Sequence, residues 1–174
     1  MRNESFKNIS PTLITDNPFQ LIDKEWMLIT AGELKFFNTM TASWGGFGIL
    51  WNKPVVFCFV RPVRYTYQFM ENSDFFTATF FDQEYREALN FCGANSGRDI
   101  DKATATGLTP VASSNGGVYF EQARLVLECR KLYFSDIDPE HFVVPEINRN
   151  YPKADYHRMY IGEIVSCMQR EMEF

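Results

Sequence analysis

The stretch N-T-M-T-A-S-W-G-G-F-G-I-L-W, residues 38–51, combines alternating hydroxyl side chains with a glycine-rich turn and two tryptophans. Successive side chains of a strand point to opposite faces, so this alternation predicts that the hydroxyls share one face. They belong to Thr39, Thr41 and Ser43. Gly45 and Gly46 leave room for a ligand ring to approach the main chain closely. The stretch alone is equally compatible with an ordinary Thr- and Ser-rich strand that enters a glycine turn.

A second segment, R-P-V-R-Y-T at residues 61–66, places two arginines where a strand gives way to a helix. Arg61 ends an apolar run, Pro62 fixes a turn, and Thr66 can cap the helix. A helix N-terminus offers unpaired N–H donors and a partial positive charge. Arg61, Arg64 and Thr66 therefore predict a phosphate-binding site. The alternative is a pair of solvated arginines.

A third segment, S-G-R-D-I-D-K-A-T-A-T-G-L-T-P, covers residues 96–110. Ser96 begins a flexible turn, and Arg98 and Lys102 add positive charge that could reach the same anion. The two aspartates of the segment are expected to cap a short helix instead. Taken alone, this segment is also typical of a charged loop in solvent.

Composition predicts one globular domain over residues 1–174. Hydrophobic residues make up 45% and charged residues 22% of the chain, close to the globular average, so neither a disordered nor a membrane-spanning class is indicated. The net charge of −5 argues against nucleic acid as the main partner, because such binding needs clustered Lys and Arg. The sequence shows neither the apolar core of a signal peptide nor a spanning segment, so we expect a cytoplasmic protein.

The cysteines predict structural thiols rather than a metal site. There is no C-x-x-C pair and the chain has only two histidines, so a metal-ligand pattern is absent from the sequence. Cys92 is the exception, because it stands beside Gly93 at a predicted helix end, where a redox role is the alternative. The cysteines are Cys58, Cys92, Cys129 and Cys167.

Apolar runs and alternating patterns predict several strands. Residues 55–60 and 75–81 are continuous apolar runs, which indicate strands buried on both faces. Residues 119–129 alternate, which predicts a half-buried antiparallel strand with Glu128 facing solvent. Residues 158–168 predict a long closing strand. The residues expected on its apolar face are Met159, Ile161, Val165 and Cys167.

Helices are fewer and shorter in this interpretation. Asp82 offers an N-cap for an amphipathic helix over residues 83–92, and Gly93 can end it. Asp138 followed by Pro139 is typical of another helix start. Because the predicted strands are mostly sequential and outnumber the helices, we expect a mainly β fold, a closed or nearly closed antiparallel barrel with short peripheral helices.

Several linked motifs resemble one family when they are taken in order. The runs N-x-M-T-A-S-W-G-G, W-N-K-P-V, V-R-P-x-R-Y-T, S-G-R-D-x-D-K and G-L-T-P are similar to the flavin reductase-like family of FMN-binding split barrels, particularly its flavoredoxin-like branch. The close match covers residues 27–110. The resemblance implies a Greek-key antiparallel split β-barrel that forms a homodimer and binds FMN noncovalently.

The resemblance also implies which residues form the site. Those expected along the flavin ring and ribityl chain are Asn38, Thr39, Met40, Thr41, Ala42, Ser43, Trp44 and Trp51. Those expected on the phosphate side are Arg61, Arg64, Thr66, Ser96 and Lys102. His157 precedes the last strand, where related proteins often have a polar residue facing the flavin or the nicotinamide, and it is the candidate catalytic residue. A surface histidine is the alternative.

Three functions remain open from the sequence. The first is a flavin reductase-type oxidoreductase that transfers hydride from NAD(P)H to flavin and on to an acceptor. The second is a flavoredoxin-type FMN electron-transfer protein that works with a redox partner and uses little NAD(P)H, and the third is a split-barrel module that binds no flavin. Since the chain has no G-x-G-x-x-G fingerprint, a nicotinamide cofactor would bind transiently on the flavin rather than in a domain of its own.

Overall fold

The computed structural model describes residues 6–171. Its strands are β1 (Phe6–Asn8), β2 (Met27–Glu33), β3 (Phe36–Ala42), β4 (Gly45–Leu50), β5 (Lys53–Val60), β6 (Phe75–Phe80), β7 (Pro110–Ala112), β8 (Val118–Phe120), β9 (Leu125–Asp136) and β10 (Arg158–Arg170). Its α-helices are α1 (Thr66–Asn72), α2 (Arg86–Ala94) and α3 (Lys102–Thr106). Shorter turns are a π-helical turn at Gln20–Glu25 and 3-10 turns at Pro11–Leu13, Gln83–Tyr85, Pro139–His141 and Pro145–Asn150.

One antiparallel sheet dominates the fold. Its strands follow the order β3-β2-β6-β9-β10-β5-β4, with β1 paired to the far end of β10, while β7 and β8 form a separate hairpin. The sheet curls on itself: a Cβ placed on Gly45 of edge strand β4 would lie 3.1 Å from the Met27 side chain of β2. The predicted mainly β antiparallel fold with short helices is confirmed.

Two apolar clusters lie on opposite sides of β2. Met27 and Ile29 belong to the cluster inside the curl, whereas Leu28 between them belongs to a second cluster beneath α2 and α3. Alternate side chains of β2 thus enter separate cores, and the strand is buried on both faces. The second cluster holds α2 against β3, where a Cβ on Gly93 would lie 3.3 Å from the Cβ of Thr41.

The strand over residues 119–129 differs from its prediction. A turn separates β8 from β9, and residues 125–129 of β9 are buried on both faces. Glu128 has 0% exposure and does not face solvent, so that part of the prediction is wrong. Its carboxylate accepts hydrogen bonds from the Ser113 hydroxyl and from the Asn115 amide groups of the β7–β8 turn. The alternating pattern of residues 119–129 does not reveal that Glu128 is covered, because the β7–β8 turn that covers it belongs to a different segment of the chain.

The closing strand also departs from simple alternation. Register shifts against β9 occur between Ile161 and Gly162 and again between Ile164 and Ser166. Such irregularities change which face a side chain points to. Ile164 is consequently buried and Val165 is 39% exposed, so the predicted apolar face is wrong at Val165, whereas Cys167 is buried as predicted. By contrast, the strand predicted over residues 75–81 is confirmed as β6, Phe75–Phe80, in which every residue after Phe75 is buried.

The helix predictions hold only in part. The segment predicted as one helix is a 3-10 turn, Gln83–Tyr85, followed by α2, and Gly93 lies inside α2 rather than ending it. Its small size serves close packing on Thr41, not a left-handed cap. Asp138 does cap the 3-10 turn Pro139–His141, with its carboxylate accepting from the Glu140 amide. Within residues 6–171, no helix has the length and apolarity needed to cross a bilayer.

Candidate functional site

A groove of about 230 Å³ opens where β3 ends, and we call it the β3 groove. It is lined by Met40, Thr41, Ala42, Ser43, Trp44, Phe59, Arg61, Arg64 and His157. All of these except Phe59 are predicted site residues. The fold therefore brings together the end of β3, the turn after β5 and the residue before β10, three stretches that are far apart in the chain.

The hydroxyls of β3 do not all face this groove. The Thr39 hydroxyl lies 2.8 Å from the Thr30 hydroxyl inside the protein, and Thr41 donates to the carbonyl of Leu89 in α2 at 2.5 Å. These two hydroxyls fasten β3 to its neighbours. Thr39 does not line the groove, whereas Thr41 lines it although its hydroxyl is bonded to α2. Ser43 lies beyond the end of β3 and makes no side-chain hydrogen bond with the described part of the chain.

Arg64 is the cation of the groove that is not neutralised. Its Nη1 donates to the carbonyl of Gly93 at 2.9 Å, and no carboxylate of residues 6–171 lies within ion-pair distance of it. Burial, and then the nearby charge of Arg61, lower the pKa of Arg64 below its usual value. Two like charges beside one half-buried groove favour the binding of an anion, which would relieve their repulsion.

Arg61 has a different role from the one predicted. Its Nη1 pairs with Asp155 at 2.9 Å, and its Nη2 donates to the carbonyl of Asn150 at 2.9 Å. Its guanidinium also lies 5.1 Å from the ring centre of Tyr151. Two donors of Arg61 and its charge thus hold the loop over residues 150–157, which leaves Arg64 as the better candidate for an anionic ligand.

Thr66 is not available as a helix cap. The N-cap of α1 is Tyr65, one residue earlier, and Thr66 is 1% exposed. The Thr66 hydroxyl accepts a hydrogen bond of 2.7 Å from the side-chain amide of Asn38, which is buried as well. Asn38 and Thr66 tie β3 to α1, so the structure does not place either side chain in the β3 groove.

Lys102 lies behind β3, in a separate cleft of about 390 Å³ that we call the Lys102 cleft. The cleft is lined by residues 35–39, Tyr65, Phe69 and residues 97–103. The Lys102 ammonium donates to the carbonyls of Thr39 and Cys92, each at 2.8 Å, and burial lowers its pKa to about 8. This lysine holds β3 against α2. The sequence predicts that it reaches the anion of the site, but it does not line the β3 groove.

The loop before α3 gives the Lys102 cleft its shape. Ser96 accepts from the amide of Arg98 in a tight turn, and Asp101 caps α3 by accepting from the Thr104 amide, as the sequence predicts.

Burial raises the pKa of Cys92 to about 11, which opposes the thiolate that a redox role would need. The four cysteines are all free and buried.

His157 is a buried residue and not a surface one. It is 8% exposed, and its Nδ1 lies 2.9 Å from the hydroxyl of Tyr151. Its ring centre is 5.2 Å from that of Trp44 and 6.3 Å from that of Phe59. Burial, and then the charge of Arg61, lower its pKa to about 4, so the imidazole is neutral near pH 7.

Trp51 is not part of this arrangement. It begins the turn between β4 and β5 with a φ of 52°, and its ring packs against Tyr133 with 6.2 Å between centroids. The six residues of β4 separate it from Trp44, which corresponds to about 20 Å of extended chain. Within one chain, Trp51 does not line the β3 groove.

Sequence reasoning missed four contributors to the site. Phe59 is hidden within an apolar run, and the Gly93 carbonyl is a backbone group that no residue pattern marks. Tyr151 and Asp155 lie in an irregular loop that has no periodicity. The one available signal was the crowding of tyrosines and His157 in N-Y-P-K-A-D-Y-H, residues 150–157.

The residues of the β3 groove fit a flat ring that carries an anionic tail. Trp44 is 47% exposed and provides an aromatic wall, while Arg64 provides an unneutralised charge. Beyond Ser43 and Trp44 lies a further cleft of about 380 Å³, lined largely by apolar residues such as Phe19 and Phe47. Ring and anion-binding features are thus side by side on one surface.

Comparison with known proteins identifies the fold. The family model described as flavin reductase like domain matches residues 21–174. Among curated proteins, no significant sequence match is found.

Solved structures give a consistent result. An FMN-binding protein from Thermus thermophilus, with bound p-hydroxybenzaldehyde, has a TM-score of 0.68 at 19% identity, covering 98% of this chain and 83% of that chain. The flavoredoxin of Desulfovibrio vulgaris (Miyazaki F) has a TM-score of 0.66 at 21% identity, covering 94% and 76%. The NADH:FAD oxidoreductase of Streptomyces globisporus C-1027 has a TM-score of 0.65 at 16% identity, covering 84% and 78%.

At these identities the solved structures establish the split-barrel fold, and the sequence match over most of the chain establishes the family. The fold and the family predicted from the linked motifs are both confirmed. This chain belongs to the flavin reductase-like family.

Proposed function

We propose that the chain binds FMN in the β3 groove and acts as an oxidoreductase of the flavin reductase type, taking hydride from NAD(P)H and passing electrons to an acceptor. The observation that carries this proposal is the unneutralised charge of Arg64 beside the main chain and aromatic wall at the end of β3. Membership in the family supports it independently. Bound FMN would supply the hydride-accepting ring, which the side chains of the groove do not.

The side chains have binding and orienting roles in this proposal. Trp44 offers an aromatic surface for one edge of the ring, and Arg64 offers charge-assisted hydrogen bonds to the phosphate. The neutral imidazole of His157 offers one ring nitrogen to the ligand. Arg61 acts indirectly, because it holds the loop that carries His157.

A flavoredoxin-type electron carrier is the second candidate. The solved structures with this fold include flavoredoxins as well as an NADH:FAD oxidoreductase, and the exposed side of Trp44 is compatible with either a nicotinamide or a protein donor. Titration decides between them. Purified protein is loaded with FMN and titrated anaerobically with NADH, with NADPH and with dithionite while flavin absorbance is recorded.

Bleaching by NADH or NADPH is the result expected for a reductase. Bleaching by dithionite or a protein donor alone would favour the carrier. Failure to bind added FMN would refute both flavin functions and would favour the split-barrel module without flavin.

The anion site has its own test. Arg64→Ala should weaken FMN binding by about 10- to 100-fold, because it removes charge-assisted hydrogen bonds worth about 1.5–3 kcal/mol. Riboflavin, which has no phosphate, should lose little affinity. Arg130→Ala is the matched control, since Arg130 pairs with Glu163 and does not line the groove. Equal losses for FMN and riboflavin would show that Arg64 does not bind the phosphate.

The expected homodimer is also a proposal. Edge strand β4 carries Ile49 with 70% exposure, and Trp51 in the following turn is 54% exposed. Exposed apolar edges are surfaces that proteins usually cover. Trp51 can contribute to a cofactor site only through a second copy of the chain. The cytoplasmic location and the redox-protein partner stay predictions.

A further inference from the structure

Tyr151 and His157 form a buried hydrogen bond that the proposed function does not use. The Tyr151 hydroxyl and His157 Nδ1 are 2.9 Å apart, and the two residues are 6% and 8% exposed. Because Nδ1 is bonded inside the protein, Nε2 at the other end of the ring is the nitrogen left for a ligand. What Nε2 offers that ligand depends on which nitrogen carries the proton.

The pair is held by contacts from several directions. Arg61 bonds Asp155 and the Asn150 carbonyl on either side of Tyr151 and lies over the Tyr151 ring. On the groove side, the imidazole packs against Trp44 with ring centres 5.2 Å apart. These contacts hold the Tyr151 hydroxyl beside the imidazole of His157.

Hydrogen-bond accounting selects one tautomer. A neutral imidazole has one N–H donor and one acceptor nitrogen, and a phenol has one O–H. If Nδ1 carried the proton, it would donate to the phenol oxygen, and the phenol O–H would need another acceptor. Within residues 6–171, the Tyr151 hydroxyl has one hydrogen-bond partner, the imidazole of His157. When the phenol donates to Nδ1 instead, each proton is used, and a buried polar group is not left unpaired.

The charges around the ring keep it neutral. Asp155 would favour a protonated imidazole, but burial and the larger effect of Arg61 outweigh it and lower the pKa of His157 to about 4. Tyr151 is neutral as well, because burial raises its pKa above the usual value. A neutral phenol and a neutral imidazole are the two partners near pH 7.

We propose that Tyr151 is a positioning residue that holds His157 in the Nε2–H tautomer, so that the imidazole presents a hydrogen-bond donor, and not an acceptor, to the ligand of the β3 groove. The tautomer is a property of the protein alone. Its use toward a flavin or nicotinamide rests on the proposed function. The chemical class it selects is a ligand with an acceptor atom, such as a ring carbonyl, at this end of the groove.

The tautomer can be measured on protein without ligand. The chain has only two histidines, so long-range proton–nitrogen NMR spectra of ¹⁵N-histidine-labelled protein contain two imidazole patterns. His141 has a side chain that is 83% exposed and serves as the solvent-accessible reference. At pH 7 we expect a protonated, pyrrole-type Nε2 and an unprotonated, pyridine-type Nδ1 for His157. A protonated Nδ1 in the unmodified protein would overturn the proposal without the need for any variant.

Two phenylalanine substitutions test the role of the hydroxyl. Tyr151→Phe removes the donor, and the His157 nitrogens should move toward a mixture of the two tautomers. Tyr156→Phe is the matched control, because that hydroxyl donates to Asn148 in the same loop and not to His157. An unchanged His157 tautomer in Tyr151→Phe would overturn the role of Tyr151, as would an equal change in Tyr156→Phe.

Binding separates this inference from the proposed function. Tyr151→Phe should weaken riboflavin and FMN alike by about twofold to tenfold, because it alters a hydrogen bond on the ring side. His157→Gln, which retains an N–H donor, should lose less affinity than His157→Leu. If neither flavin binds, the proposed function fails while the NMR result still decides the tautomer. If flavin binds equally well to all these variants, the donor role toward the ligand is overturned.

Discussion

Gly97→Ala tests whether the loop before α3 depends on a close approach to β3. A Cβ at residue 97 would lie 1.9 Å from Asn38 Oδ1 and 2.8 Å from Asn38 Cγ, with Tyr65 Cδ1 at 3.1 Å. Gly97 does not have a positive φ, so the substitution acts through steric overlap and not through backbone strain. Either the loop or the Asn38 side chain has to move.

The cost follows from what holds Asn38 in place. Its amide donates to the buried Thr66 hydroxyl at 2.7 Å, and moving it leaves buried polar groups unpaired at about 1–3 kcal/mol. Overpacking adds about 1–3 kcal/mol, and the reduced entropy of the unfolded chain returns about 0.4–1 kcal/mol. We expect Gly97→Ala to lower the free energy of unfolding by about 2–4 kcal/mol.

Urea denaturation followed by tryptophan fluorescence measures this change. Gly48→Ala is the matched control, because Gly48 is exposed, has a negative φ and has no atom within 4 Å of its added Cβ. The control should stay within about 0.5 kcal/mol of the unmodified protein. Equal stability of the two variants would refute the reasoning. Adding Asn38→Ala to Gly97→Ala should recover part of the loss, because the overlapping side chain is then absent.

Two further predictions concern buried titratable groups. Lys102→Met should lower the free energy of unfolding by about 1–3 kcal/mol in urea denaturation, because the carbonyls of Thr39 and Cys92 lose their donor. The pKa of Lys102 is lowered to about 8 in the folded protein, so between this pH and the pKa of an ordinary lysine the unfolded chain binds more protons than the folded chain. The free energy of unfolding should therefore rise with pH over this window. The Met variant should lack that rise. The pKa of His157 is lowered from 6.5 to about 4, so the unfolded chain binds more protons than the folded chain between these two pH values. The free energy of unfolding should therefore fall as pH falls through this window. The loss is at most about 3 kcal/mol, and solvent screening makes it smaller. Thermal unfolding from pH 7 to pH 4 checks this, and His157→Gln should show a shallower dependence; identical slopes would contradict it.

Local pattern was sufficient for the strand β6 and for the family. The apolar run over residues 75–81 predicts a strand buried on both faces because a short run rich in aromatic and β-branched residues is typical of such a strand, and β6 lies between β2 and β9 inside the sheet. The ordered motifs over residues 27–110 predict the split barrel, and the family match confirms it. Asp101 caps α3 because capping involves only neighbours in the chain.

The tertiary structure alone decided which side chains are free to bind a ligand. Arg61 and Arg64 are indistinguishable in R-P-V-R, but Asp155 pairs with the first and no described carboxylate with the second. The sequence predicts Thr66 as a helix cap, but in the structure its hydroxyl accepts a hydrogen bond from Asn38. The sequence also predicts an exposed Glu128, but the β7–β8 turn covers it. Each partner comes from a segment distant in the chain. Periodicity reports only which face a side chain takes, whereas the groups it meets there depend on how distant loops close over the sheet.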